Sequence, residues 1–154
     1  WIIEESIKEI KYVNPDKDFD SLDELKNIYS KQINIFKKGR ASLYTPDSEK
    51  YIDLLYDEIT RLQLNKSATL AGLIEYCLTR KNKLLVIVLD NCDKRNRDDQ
   101  LLMFEVATWL KNTFLTMVFL PIRDTTYDQY RNEPPLDTVI KDLVFRIDPP
   151  LLYP

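Results

Sequence analysis

The chain is predicted to be an α/β protein, with a parallel sheet in its second half and a mainly helical first half. Three observations carry this expectation. Residues 84–89 (LLVIVL) are apolar without interruption and stop at Asp90. A strand with one wet face alternates apolar and polar residues, so an unbroken run predicts cover on both faces, as in a parallel sheet flanked by helices. From Lys83 onward the pattern reads strand, helix, strand, loop, strand, with further apolar stretches at 115–120 and 143–147, and the connections are long enough for parallel crossovers. Residues 1–82 instead carry apolar residues at steps of three and four, the period of amphipathic helices. The boundary is therefore set between a helical segment, 1–82, and an α/β segment, 83–154.

In the first segment, Ile3, Ile7 and Ile10 mark a short helix that ends before Asn14-Pro15-Asp16. Ser21-Leu22-Asp23-Glu24 has the form of a capping box, and Leu22, Leu25, Ile28, Tyr29, Ile33 and Phe36 continue as one face up to Gly39. Thr45-Pro46 offers a cap and a first-turn proline for a helix striped by Ile52, Leu55, Ile59 and Leu62. Ser67 is taken as the cap of the next helix, whose stripe is Leu70, Leu73, Ile74, Cys77 and Leu78, with Arg80 and Lys81 favourably near its end. In the second segment, residues 98–112 supply a crossover helix with Leu102, Val106, Trp109 and Leu110 on one face. Residues 143–147 form the third predicted strand, and Leu136 to Asp142 offers at most a short helix after Pro134-Pro135.

Composition narrows the function classes. The 154 residues are 44% apolar, enough for one respectable core. The 22 basic and 25 acidic residues are interspersed and leave a formal charge of -3, so no broad basic field is available for a nucleic-acid backbone. The complete absence of histidine removes Ser-His-Asp and Cys-His catalysis and histidine metal sites. Cys77 and Cys92 lack C-x-x-C pairing, which suits reduced thiols in a cytoplasmic protein. No apolar run reaches bilayer length, so no membrane partner is expected. The start at Trp1 is read as that of a fragment or an excised domain.

An apolar strand ending in aspartate, then a helix, a second strand and a basic residue, resembles the Walker B to sensor half of a P-loop NTPase. The residues carrying the resemblance are LLVIVLDNCDK (84–94), LTMVFLPIRD (115–124) and LVFRIDPP (143–150). Together they resemble the STAND class of AAA-related signalling ATPases, over roughly the second half of the chain. The resemblance implies a P-loop type of parallel sheet and ATP with Mg2+ as cofactors in the intact protein. It also implies a nucleotide-dependent switch that couples ATP binding to oligomerisation and to effector or sensor domains.

Asp90 is the implied metal ligand, because phosphoryl transfer uses magnesium bridging the terminal phosphates and a carboxylate at a rigid strand end can hold that ion or its waters. Its plainer reading is a carboxylate that starts a turn. Asn91 stands where the family usually has a second acid that orients water, which predicts slow turnover. Asp93 could substitute for that acid or simply face solvent. Arg123 ends the second strand and is the implied sensor, against the alternative of an ion pair with Asp124 or Asp90; Pro121-Ile122 replaces the hydroxyl that precedes it in the family. Asp90, Asn91 and Arg123 are thus the implied nucleotide-contacting set, with Asp90, Asp93 and Arg123 in catalytic roles. Tyr127, Tyr130 and Arg131 could stack on a base or cover a sheet edge.

The phosphate loop G-x-x-x-x-G-K-[ST] does not occur; the two glycines, Gly39 and Gly72, lie in other contexts. The family order would put that loop before Trp1, so the isolated chain is expected to be inactive. Two other functions remain open: a nucleotide-free α/β interaction module, and a magnesium-dependent nuclease using Asp90 and Asp93.

Overall fold

The computed structural model describes residues 1–132 together with Phe145 and Ile147. The chain divides into two compact units, Trp1–Leu85 and Val86–Pro154. The described residues are mostly helical, with a two-stranded parallel sheet as their only strands.

The first unit holds five helices: α1 (Ile2–Tyr12), α2 (Leu22–Ile28), α3 (Ser30–Lys38), α4 (Glu49–Leu64) and α5 (Lys66–Lys81). The single helix expected from Ser21 to Gly39 is broken at Tyr29 (φ −97°, ψ 21°). Tyr29 is fully buried and its hydroxyl lies 2.8 Å from Thr69 Oγ1 on α5. The bend lets one chain segment present two faces to the same core. Two caps also differ from expectation. Ser48, not Thr45, caps α4 by accepting from Tyr51 N, and Asn65, not Ser67, caps α5 by accepting from Ala68 N. In each case the side chain that reaches an orphan amide of the first turn wins.

Helix α5 is central, packing against α1, α2 and α4. Leu70, Leu73, Ile74, Tyr76 and Cys77 are all buried, and Phe19 meets Tyr76 edge-on with ring centroids 5.7 Å apart. Gly72 allows the close approach: a Cβ there would lie 2.5 Å from the Ile28 carbonyl oxygen. Asn14 closes α1, donating to the Ile10 carbonyl and accepting from Lys83 Nζ.

The second unit contains β1 (Leu85–Val88, starting at the unit boundary), α6 (Arg97–Thr113), β2 (Thr116–Phe119) and α7 (Asp124–Tyr130). The strands pair side by side, with Leu89 N donating to Phe119 O at 2.9 Å. Helix α6 packs on β2 and buries Phe104, Ala107 and Leu110, while Trp109 meets Phe114 edge-on.

This overturns the expected three-stranded, P-loop type of sheet. Among the described residues there are two strands, and the third, expected at 143–147, lies outside the described residues except for Phe145 and Ile147, which are exposed and in no strand. The premise of two covered faces also fails. Val86, Val88, Met117 and Phe119 are 44–58% exposed, whereas alternate residues of both strands are half-buried. A single crossover helix covers only one face of a strand pair, so an all-apolar strand here alternates in burial though not in sequence.

Candidate functional site at the strand ends

Ligands of open parallel sheets bind beyond the carboxyl ends of the strands, and there the second unit gathers most of the residues singled out in the sequence. Asp90 follows β1 directly and is exposed. Both of its oxygens engage Asn91: Oδ1 accepts from the backbone N at 2.7 Å and Oδ2 from Nδ2 at 3.2 Å. Asn91 sits in the left-handed region at φ 60°, a conformation asparagine tolerates better than most residues. The turn-starting reading of Asp90 is thus realised in the geometry.

The same geometry fixes where the carboxylate points. A carboxylate offers about four lone-pair sites, and two are used, so each oxygen keeps capacity toward solvent. Magnesium is commonly held by one or two carboxylates together with phosphate oxygens and waters. Among the described residues no group of three or more acidic, cysteine or histidine side chains could hold a metal ion. A single carboxylate with free lone pairs fits magnesium brought in by a nucleotide, and does not fit an all-protein metal cage.

The chain then makes a short 3-10 turn, Cys92–Lys94, which contains Asp93. Cys92, which the sequence offers only as a reduced thiol, joins the two strand ends. It is fully buried against Phe104, with Leu101, Met103, Leu120 and Ile122 around it, and its Sγ donates to the Pro121 carbonyl at 3.6 Å. The sequence signal was available: a lone small hydrophobe inside the polar stretch Asp90 to Asn96 has reason to point inward. Gln100 of α6 donates to the Arg95 carbonyl at 2.8 Å, and Asn96 caps α6 by accepting from Asp99 N at 2.9 Å. The loop leaving β1 is therefore pinned at both ends.

Across from it, Pro121-Ile122-Arg123 leaves β2. Arg123 is exposed and holds the N-cap position of α7, its carbonyl accepting from Tyr127 N at 2.9 Å. The loop expected after Arg123 is thus a helix over 124–130, carrying Tyr127 and ending before Arg131, which pairs with Asp128 at 3.7 Å. The structure brings Asp90, Asn91 and the turn with Asp93 to one strand end and Arg123 to the adjacent one. Among the described residues no helix is long and apolar enough to cross a membrane.

The chain matches no protein-family model, no curated protein and no solved structure.

Proposed function

We propose that the chain is part of a nucleotide-dependent switch whose second unit supplies the acid and the sensor side of a magnesium-nucleotide site. The observation that carries the reading is the tie between strand ends: Leu89 N to Phe119 O and Cys92 Sγ to Pro121 O hold the Asp90 and Arg123 ends of two parallel strands side by side. In this reading Asp90 holds the magnesium or its waters through its free lone pairs, and Arg123 contacts a phosphate. The bound ion would neutralise charge on the terminal phosphates. Asn91 carries no carboxylate to orient water, which favours slow turnover and a switch over a motor. The phosphate cradle comes from sequence beyond these 154 residues, and effector or sensor domains and self-association are part of the same proposal.

The test is made on the intact protein. Asp90→Ala should abolish magnesium-dependent ATP binding, Arg123→Ala should weaken the response to nucleotide, and Asp93→Ala should do less. Unchanged ATP binding by a folded Asp90→Ala protein would sink the reading.

A second reading, a nucleotide-free interaction module, is favoured by one specific feature, the open apolar face of Val86, Val88, Met117 and Phe119. Under it, Asp90 serves only to shape the turn, and Phe119→Lys would disturb function while Asp90→Ala would not.

A further inference from the structure

The sequence marks Leu102, Val106, Trp109 and Leu110 as the buried face of α6, yet of these only Leu110 is buried. The helix turns Phe104, Ala107 and Leu110 inward instead and leaves the other three as a second apolar stripe at steps of four and three. Leu102 is 55% and Trp109 43% exposed, and Val106 is half-buried. The Trp109 ring lies edge-on to the buried Phe114 with centroids 5.6 Å apart, so the largest side chain of the stripe is already held in place. The charges of α6 are sorted about this stripe. At about 3.6 residues per turn, Asp98, Asp99 and Glu105 fall within about 60° of Leu102 around the helix axis, whereas Arg97 and Lys111 fall about 140–180° away. These are all the acids and all the bases of the helix. Asp98 and Asp99 also complement the positive end of α6 from its first turn, a role that Glu105 in mid-helix does not have. Asp98 and Glu105 are exposed and have no hydrogen-bond or ion-pair partner among the described residues.

We propose that this outward face of α6 is a docking site for a basic amphipathic helix of a partner protein. Apolar side chains at i, i+4 and i+7 on one helix are the pattern against which the stripe of a second helix packs. Tryptophan is enriched among the residues that dominate such contacts, and its burial together with Leu102 supplies the non-directional part of the affinity. Charge complementarity selects the occupant. An acidic arc without a base pairs with lysine and arginine beside the incoming stripe. The same arc turns away a second copy of itself, which would set acid against acid across a two-fold contact, and it repels a phosphate backbone or an anionic bilayer. The proposal rests neither on the strand-end site nor on the open face of the sheet.

The experiment is a fluorescence titration of the 154-residue chain. Trp1 and Trp109 are its two tryptophans, so Trp1→Phe leaves Trp109 as the reporter. The probe is a synthetic helical peptide of about twenty residues, with leucine at i, i+3, i+4 and i+7 and lysine and arginine beside that stripe. Trp109 emission should move to shorter wavelength and saturate, with affinity falling about tenfold at high salt, where charges are screened. Asp98→Asn with Glu105→Gln should weaken binding about tenfold and remove most of its salt dependence. Leu102→Ser should weaken it about tenfold and keep the salt dependence. Both changes lie on exposed positions, and circular dichroism checks that each variant is folded. A twin peptide with glutamate in place of every lysine and arginine should not bind. The proposal is overturned by a basic peptide that gives no saturable shift, by equal binding of the acidic twin, or by binding that neither variant changes. It is equally overturned if phosphatidylserine vesicles bury Trp109, or if sedimentation shows the chain pairing with itself through this face, a pairing that Leu102→Ser would remove.

Discussion

The Cys92 thiol donates to the Pro121 carbonyl at 3.6 Å, so the turn after β1 is fastened to the end of β2 by a fully buried side chain. The link sets how the strand ends carrying Asp90 and Arg123 are held. Cys92→Ala should leave a small void against Phe104 and cost about 1–2 kcal/mol, read from urea unfolding. Under the proposed nucleotide reading, the same variant should also reduce nucleotide binding by more than its stability loss explains, because it loosens one strand end against the other.

Gly72 is the tightest point in the helical unit. An added Cβ would meet the Ile28 carbonyl oxygen at 2.5 Å and Ile28 Cγ2 at 2.7 Å, and backbone on one side cannot move aside as a flexible side-chain tip can. Alanine favours helix by about 1 kcal/mol over glycine, yet overpacking at such a contact costs about 1–3 kcal/mol. Gly72→Ala should therefore lower the melting temperature, and a rise would show that α2 can shift away from α5.

The acid limb of stability should report the Lys17–Glu24 contact. Lys17 Nζ donates to Glu24 Oε1 at 3.0 Å, and that hydrogen bond is the main cause holding the Glu24 carboxyl below its ordinary 4.5, with Asn27 and Tyr76 adding to it. A group depressed in the folded state stabilises fully above its unfolded value and loses that contribution as pH falls through the folded value. Lys17 is raised above 10.5, first through the same hydrogen bond, and its contribution is present below that value and lost as pH rises through the folded one. Melting temperature should thus fall as the pH drops below about 4.5, and Glu24→Gln should flatten that fall.

Much of the helical unit was legible because its signals are local. The steps of Ile3, Ile7 and Ile10, and those of Leu70, Leu73 and Cys77, need only a period of 3.6 to be read. What failed depended on competition or on distance. Thr45 and Ser48 can both cap a helix, and only the chain path decides which reaches the first-turn amides. The break at Tyr29 answers to Thr69, forty residues away, which no local pattern encodes. On the β side, the apolar run correctly marked a strand but not its cover, because composition records what a residue can bury, not what arrives to bury it. Of the site, Asp90 and Arg123 were found at strand ends; the self-satisfied Asp90–Asn91 pair and the tie through Cys92 were not, since both are side-chain geometries.

The uneven cover of the sheet gives a direct contrast between two phenylalanines. Phe104 on α6 is fully buried in the cluster with Cys92, whereas Phe119 on β2 is 44% exposed on the open face. Truncating a fully buried phenylalanine costs about 3–5 kcal/mol through lost transfer energy and the cavity left behind. A half-exposed ring forfeits only part of that and leaves no enclosed void, so Phe119→Ala should cost about 1–2 kcal/mol. The two variants should separate clearly in denaturant midpoint when this chain is unfolded alone. If Phe119→Ala proves as costly as Phe104→Ala, the face of Val86, Val88, Met117 and Phe119 is covered in solution, and the case for an interaction surface there is lost. If the contrast holds, and Phe119→Lys leaves the chain folded but impairs its function, the open face is a contact surface, as the interaction-module reading proposes.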